Sequence, residues 1–257
     1  TSTVAAPAQV EATVNPKSIA VLAFANMSAD KENEYFSDGV AEEILNALAQ
    51  VRDLKVAGRT SSFYFKGRNE PLSTIGTALG VAHVLEGSVR KQGERLRITA
   101  QLIRVSDGFH LWSETFDGND ADIFALQESI ARRVTSELKV ALNAGPQVRL
   151  VNVGTDNADA YALYLQASAT FNRRDSARFP EAMAQLEQAT TLDPNFARAY
   201  ARLASLYGVA LNSDTVAFEA ALDAVEEFAG RASQLDPSLG EPHAALGLKY
   251  RYQRKLR

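Results

Sequence analysis

The sequence predicts an α/β domain, built as a mixed sheet with an antiparallel meander and packed helices, followed by an all-α superhelix of repeated helix pairs. Three observations predict it. Leu96, Ile98, Ala100 and Leu102 alternate with Arg97, Thr99 and Gln101 in the middle of the first half, the period of a half-buried strand. Amphipathic helical stripes precede and follow that strand. From Ala158 onward the chain reads as nearly continuous helix, and Leu-Asp-Pro recurs at 192–194 and 235–237.

Residues 1–16, rich in Ala, Val, Thr and Pro without periodicity, read as a linker. Ser18–Phe24 is a short apolar run suited to a buried strand, and Asn26–Glu34 reads as a loop. Val40, Ile44, Leu45 and Leu48 fall at helical spacing, with Glu42, Glu43 and Asn46 opposite them. Leu54–Ala57 suits a strand. Pro71–Leu79 suits a short helix ended by Gly80. His83–Arg90 reads as a strand, Lys91–Glu94 as a turn, and Asp107-Gly108 as the hairpin turn before a third strand, Phe109–Phe116. Ile123, Leu126, Ile130, Val134 and Leu138 stripe a closing helix, with Asp120 or Asp122 as its cap. The first domain is thus expected over 17–143, a linker containing Gly145-Pro146 over 144–157, and the helical array over 158–257.

The array fits tetratricopeptide (TPR) repeats. Counted from Pro194, the preferred positions are Tyr200, Leu203, Ala204 and Tyr207; counted from Pro237, they are His243, Leu246, Gly247 and Tyr250. Ala182, Leu186 and Ala189 suit a second helix, and Tyr164, Ala167, Ser168 and Phe171 a first. The two Leu-Asp-Pro marks lie 43 residues apart, against about 34 in the standard repeat; the extra length is expected around Asn212–Ala217. About two and a half repeats are present. A repeat buries its apolar face only against a neighbour, so either the last helix is a cap or the natural protein continues. The start on Thr favours a fragment.

The formal net charge of -4 argues against broad phosphate-backbone binding, so no direct nucleic-acid contact is expected. The absence of cysteine excludes thiol nucleophiles and cysteine-held metal, and three histidines exclude a histidine-rich metal site. No run approaches the ~18 apolar residues of a membrane span. No nucleophile elbow, Walker A loop, dinucleotide fingerprint or S-x-x-K motif is present. No cofactor, no metal and no enzymatic activity are expected.

Several local patterns remain. Asp117, Asn119, Ala121 and Glu128 mimic the spacing of a calcium loop, but Ala121 has no side-chain oxygen and Asp122 stands where the turn needs Gly. A polar turn at a helix N-terminus explains them. His83 and Glu86, three apart on a strand, face opposite sides. His110, Trp112 and Glu114 share one strand face, read as packing beneath a helix rather than a ligand face. Arg59, Thr60, Ser61 and Ser62 follow a strand and suit an anion or carboxylate site, or loop hydrogen bonding. The concave face of the repeats would carry Asn172, Arg198, Ser205, Glu241, Leu248 and Arg251, a groove for an acidic protein or peptide partner. A role as a structural spacer fits the same short array.

The segments SIAVLAFANMS (18–28), EYFSDGVAEEILNALA (34–49), VAGRTSSFYFKG (56–67), VLEGSVRKQGERLRITAQLI (84–103), HLWSET (110–115) and ADIFALQESI (121–130) occur in one order. Together they resemble the TolB-like amino-terminal domain that is attached to TPR repeats in many bacterial regulators. The resemblance covers 17–143; the usual Leu-Pro-Phe is Leu22-Ala23-Phe24 here. It implies no catalytic residues. It implies the carboxy-terminal half of a larger protein. In CadC-type transcriptional regulators the other half is a winged helix and one membrane span, which would make this segment a periplasmic sensor acting through homodimerisation. In other members it is a class III adenylate or guanylate cyclase, which would make this segment a cytoplasmic regulatory region.

Overall fold

The computed structural model describes residues 14–139, 150–211 and 216–255. Residues 1–13 of the expected arm over 1–16, 144–149 of the expected linker over 144–157, and 212–215 of the expected extra turn over 212–217 lie outside them. Six strands form one mixed sheet: β1 (Ser18–Val21), β2 (Ala25–Asn26), β3 (Lys55–Val56), β4 (His83–Gln92), β5 (Arg95–Arg104) and β6 (His110–Asn119). Their order is β3-β1-β4-β5-β6, with β2 on β4. β1 pairs parallel to both β3 and β4, with Ile19 opposite His83, while β4, β5 and β6 run as the expected antiparallel meander.

Two pieces depart from the sequence reading. β2 straddles the start of the stretch expected as a loop from Asn26, because two residues carry no period. Arg59–Phe63, also expected as a loop, coils into the single-turn helix α2, following α1 (Glu34–Ala49) and preceding α3 (Leu72–Leu79). α3 ends as expected on Gly80, whose φ of +64° suits glycine. Asp122, one of the two expected caps, is the N-cap residue of α4 (Ile123–Glu137), though its side chain makes no cap bond to that helix; it accepts instead from the Asn119 N–H, while Asn119 caps the 3-10 turn 120–122 by accepting from the Ala121 N–H.

The strand period divides the core. Ile19, Val21, Leu85, Ile98, Ala100 and Leu102 face α1 and α4. Ala20 and Val84 face the other way and pack with Leu72 and Leu79 of α3. Gly87 on β4 is required by close approach: a Cβ there would lie 2.5 Å from the Thr99 carbonyl oxygen and 2.8 Å from the Phe24 ring.

Five helices follow: α5 (Ala158–Arg173), α6 (Phe179–Leu192), α7 (Ala197–Ala210), α8 (Phe218–Leu235) and α9 (Glu241–Lys255). Asn157 caps α5 by accepting from the Ala160 N–H, and both Leu-Asp-Pro marks end a helix, α6 and α8. α5 packs on α6, α6 on α7, α7 on α8 and α9, and α1 on both α4 and α5. The apolar cluster beneath the sheet therefore runs on through Leu150, Val151 and Val153 into Tyr161, Leu165, Leu203 and Leu206. No helix among the described residues is long and apolar enough to cross a membrane.

Gly87→Ala is expected to lower stability by about 1–3 kcal/mol, since a backbone carbonyl cannot move aside as a side-chain end can. Urea unfolding of the two chains checks it.

Candidate functional site

Arg59 and Arg198, one singled out in each half, converge on α1. Its Glu42 and Glu43, adjacent in sequence, point to different neighbours because successive helical residues diverge by about 100°. Glu42 accepts from Arg59 Nε of α2 at 2.7 Å. Glu43 is 3% exposed and takes a two-pronged fork from Arg198 of α7, with Nη2 at 2.6 Å and Nη1 at 2.8 Å. The same guanidinium lies 5.2 Å from the Tyr164 ring centroid and donates to the Val153 carbonyl. A planar fork meets both carboxylate oxygens with two parallel N–H groups in one fixed geometry, whereas an ammonium serves as a point charge.

The close seating of α1 on α5 uses Gly39. A Cβ at this position would come within 2.5 Å of Leu165 Cδ2, so any larger residue would require the Leu165 side chain to move. Beside the contact, α1, α2 and α5 enclose a cavity of about 150 Å3, lined by Tyr35, Asp38, Arg59, Ser168, Asn172 and Arg173 among others. Asp38 accepts from Lys66 Nζ at 2.6 and 2.7 Å, and Lys66 also reaches Glu34 at 2.5 Å. Burial pushes the Asp38 carboxyl above its ordinary range, with Lys66 partly opposing. Farther along α1, a cavity of about 530 Å3 is lined by Glu43, Asn46, Leu150, Arg198 and Ser238.

The structure thus brings Arg59 and Asn172 to one cavity. Thr60 and Ser61 lie at the surface of α2. Ser62 is fully buried, with no hydrogen-bond partner for its hydroxyl. Of the six expected groove residues, Arg198 is taken up by Glu43 and Ser205 is buried within the helices. Glu241 pairs with Arg202 at 3.1 Å. Leu248 lies against Gly208, and Arg251 is exposed beside Tyr252. The face that helical spacing assigns to a partner is covered by α1 at its α5 and α7 end. Periodicity gives the face but not its neighbour, and by spacing alone Glu43 belongs to solvated helix surface.

The other patterns have local partners. Asp117 pairs with Arg97 at 2.6 Å, and Glu128 accepts from the Val151 N–H at 2.7 Å. Trp112 is buried and donates to Glu114 at 2.9 Å. His83 is buried with Nδ1 3.2 Å from the Ser18 carbonyl oxygen.

No family model matches the chain. The chain is 40% identical over 186 residues to a Rhizobium meliloti (strain 1021) protein named "Putative adenylate cyclase 3". That match covers 72% of this chain and 32% of the relative, so the chain spans about a third of the relative's length. Among solved structures it is similar to TolB from Acinetobacter baumannii, with TM-score 0.35 and 16% identity over 47% of this chain and 28% of that one. It is also similar to the lipoprotein GNA1162 from Neisseria meningitidis, with TM-score 0.36 and 18% identity over 50% of this chain and all of that one. The PelC dodecamer from Paraburkholderia phytofirmans gives TM-score 0.33 and 19% identity over 49% of this chain and 89% of that one. At these scores the strand order and register, not the overlaps, define the fold.

Two outcomes follow from these environments. Arg198→Met leaves a buried carboxylate unpaired and is expected to cost about 3–5 kcal/mol, whereas pairing it with Glu43→Leu recovers most of the loss; a double-mutant cycle of melts reads the coupling. Burial lowers the His83 pKa below 6.5. A depressed histidine disfavours protonation of the folded state, so stability is expected to fall as pH drops below about 6.5, with a weaker fall in His83→Gln.

Proposed function

We propose that this chain is a non-enzymatic sensory and protein-interaction module of a bacterial signalling protein, and that α1 transmits a binding event between the sheet and the helix pairs. The observation that carries this reading is the Glu43–Arg198 fork, since it ties a helix of the sheet layer to the helical array through a desolvated, geometrically demanding contact. A shift of α1 on either side alters that contact on the other. In this reading 17–143 and 158–257 are two functional units, the first TolB-like. The second is a TPR array of about two and a half repeats, supported by the Leu-Asp-Pro marks at the ends of α6 and α8. The part of its face left uncovered, near Glu241, Leu248 and Arg251, receives a protein or peptide.

The cyclase name of the relative favours attachment to a class III cyclase. Catalysis then belongs to another segment, and this region is cytoplasmic and regulatory. The periplasmic reading, as the outer half of a one-span, dimerising regulator, rests on the sequence resemblance alone.

Conversion of ATP to cyclic AMP tests the proposal. This chain alone is expected to show none. Exchanged for the matching third of the Rhizobium meliloti relative, it is expected to support cyclase activity that Arg198→Met changes by about fivefold or more. Turnover by the chain alone, or an exchange protein indifferent to Arg198→Met, would sink the reading.

A further inference from the structure

We propose that the cavity between α1, α2 and α5 binds a small zwitterion, a molecule of about six to ten non-hydrogen atoms bearing one carboxylate and one ammonium, such as a small amino acid. The volume of about 150 Å3 sets the size. An engineered cavity of similar volume holds benzene, and drug-sized ligands need roughly 300 Å3 or more. Phe63, Leu165 and Ala169 line its apolar part.

The polar lining sets the chemistry. Arg173, near the end of α5, is exposed at the cavity and has no ion-pair or hydrogen-bond partner among the described residues. A guanidinium in that position suits a carboxylate, and the Asn172 amide beside it adds a donor. Ser168 is 7% exposed, lines the same cavity, and its hydroxyl has no hydrogen-bond partner. Asp38 shares its ion-pair partner, Lys66, with Glu34, so two carboxylates divide a single ammonium. A ligand ammonium against Asp38 supplies a second cation to the two carboxylates. Glu42 and Arg59 already neutralise each other. A bare anion would meet Asp38 and Glu42; a bare cation would leave Arg173 unanswered. Only a ligand with both charges serves both ends.

The inference rests on the coupling reading for its consequence alone: a ligand touching α1 and α5 together would favour their seated arrangement. Binding itself is independent of that reading.

Calorimetric titration of the whole chain with L-alanine and β-alanine tests the proposal, with propionate and ethylamine as single-charge controls. The zwitterions are expected to bind and the controls not. Arg173→Ala is expected to weaken binding about ten- to a hundredfold with no change in melting temperature, since its side chain bonds nothing. Ala169→Leu is expected to fill the cavity and abolish binding. No binding of either zwitterion overturns the proposal, as does propionate binding as tightly as alanine, or binding that survives both Arg173→Ala and Ala169→Leu. Alanine binding that leaves the exchange protein's cyclase activity unmoved defeats the coupling reading and leaves the site standing.

Discussion

A carboxylate removed from water must find a cation or lose its charge. Glu43 meets that demand with the Arg198 fork, and much of the arrangement around it follows. To hold the fork, α7 has to present Arg198 toward α1, which in turn requires α5 to pass close by. Gly39 gives α5 that room, and the Tyr164 ring backs the guanidinium. Val153, just before α5, contributes its carbonyl to the same cation. The polar contact is therefore framed by apolar packing, where water is excluded and the pair is held in one geometry. Such a pair is poor evidence for net stability against a hydrophobic substitute, but it is selective, because a misplaced α7 would leave two charges buried apart.

The chemistry along α1 is graded. At its start, Glu34 and Asp38 share Lys66 near the smaller cavity; at its middle, Glu42 and Glu43 are each matched by an arginine; toward its end lies the larger cavity. Acids on one helix thus contact α2, the loop after it and α7. The helix serves as the common wall of the sheet and the helix pairs, and small ligands at either end would act on the same element.

The sheet meander, the long helices and the glycine turns are legible because each leaves a local trace: alternation in β5, stripes in α1 and α4, Gly80 after α3. β2 and α2 are not: both are too short for a period to emerge, and, unlike the equally short β3 within the apolar stretch Leu54–Ala57, β2 opens onto the polar run from Ser28. The candidate site divides the same way. Arg59 and Asn172 stand out by residue type and position, but no sequence pattern places them at one cavity across more than a hundred residues of chain. Helical spacing makes Arg198 a groove residue because it defines a face without saying what lies against it. It makes Glu43 solvent-facing for the same reason. The signal that is present, two adjacent glutamates beside the apolar stripe of α1, gains meaning only once a second helix brings a guanidinium to it.

The fork also imposes an order of events on synthesis. Glu43 and Arg198 lie 155 residues apart, and at about 5–20 residues per second the ribosome needs roughly 8–30 s to supply the second after the first. The sheet and α1 can form in that interval, with Glu43 still hydrated on an open flank. The nascent chain then carries its interior charge outward until α7 emerges and closes over it.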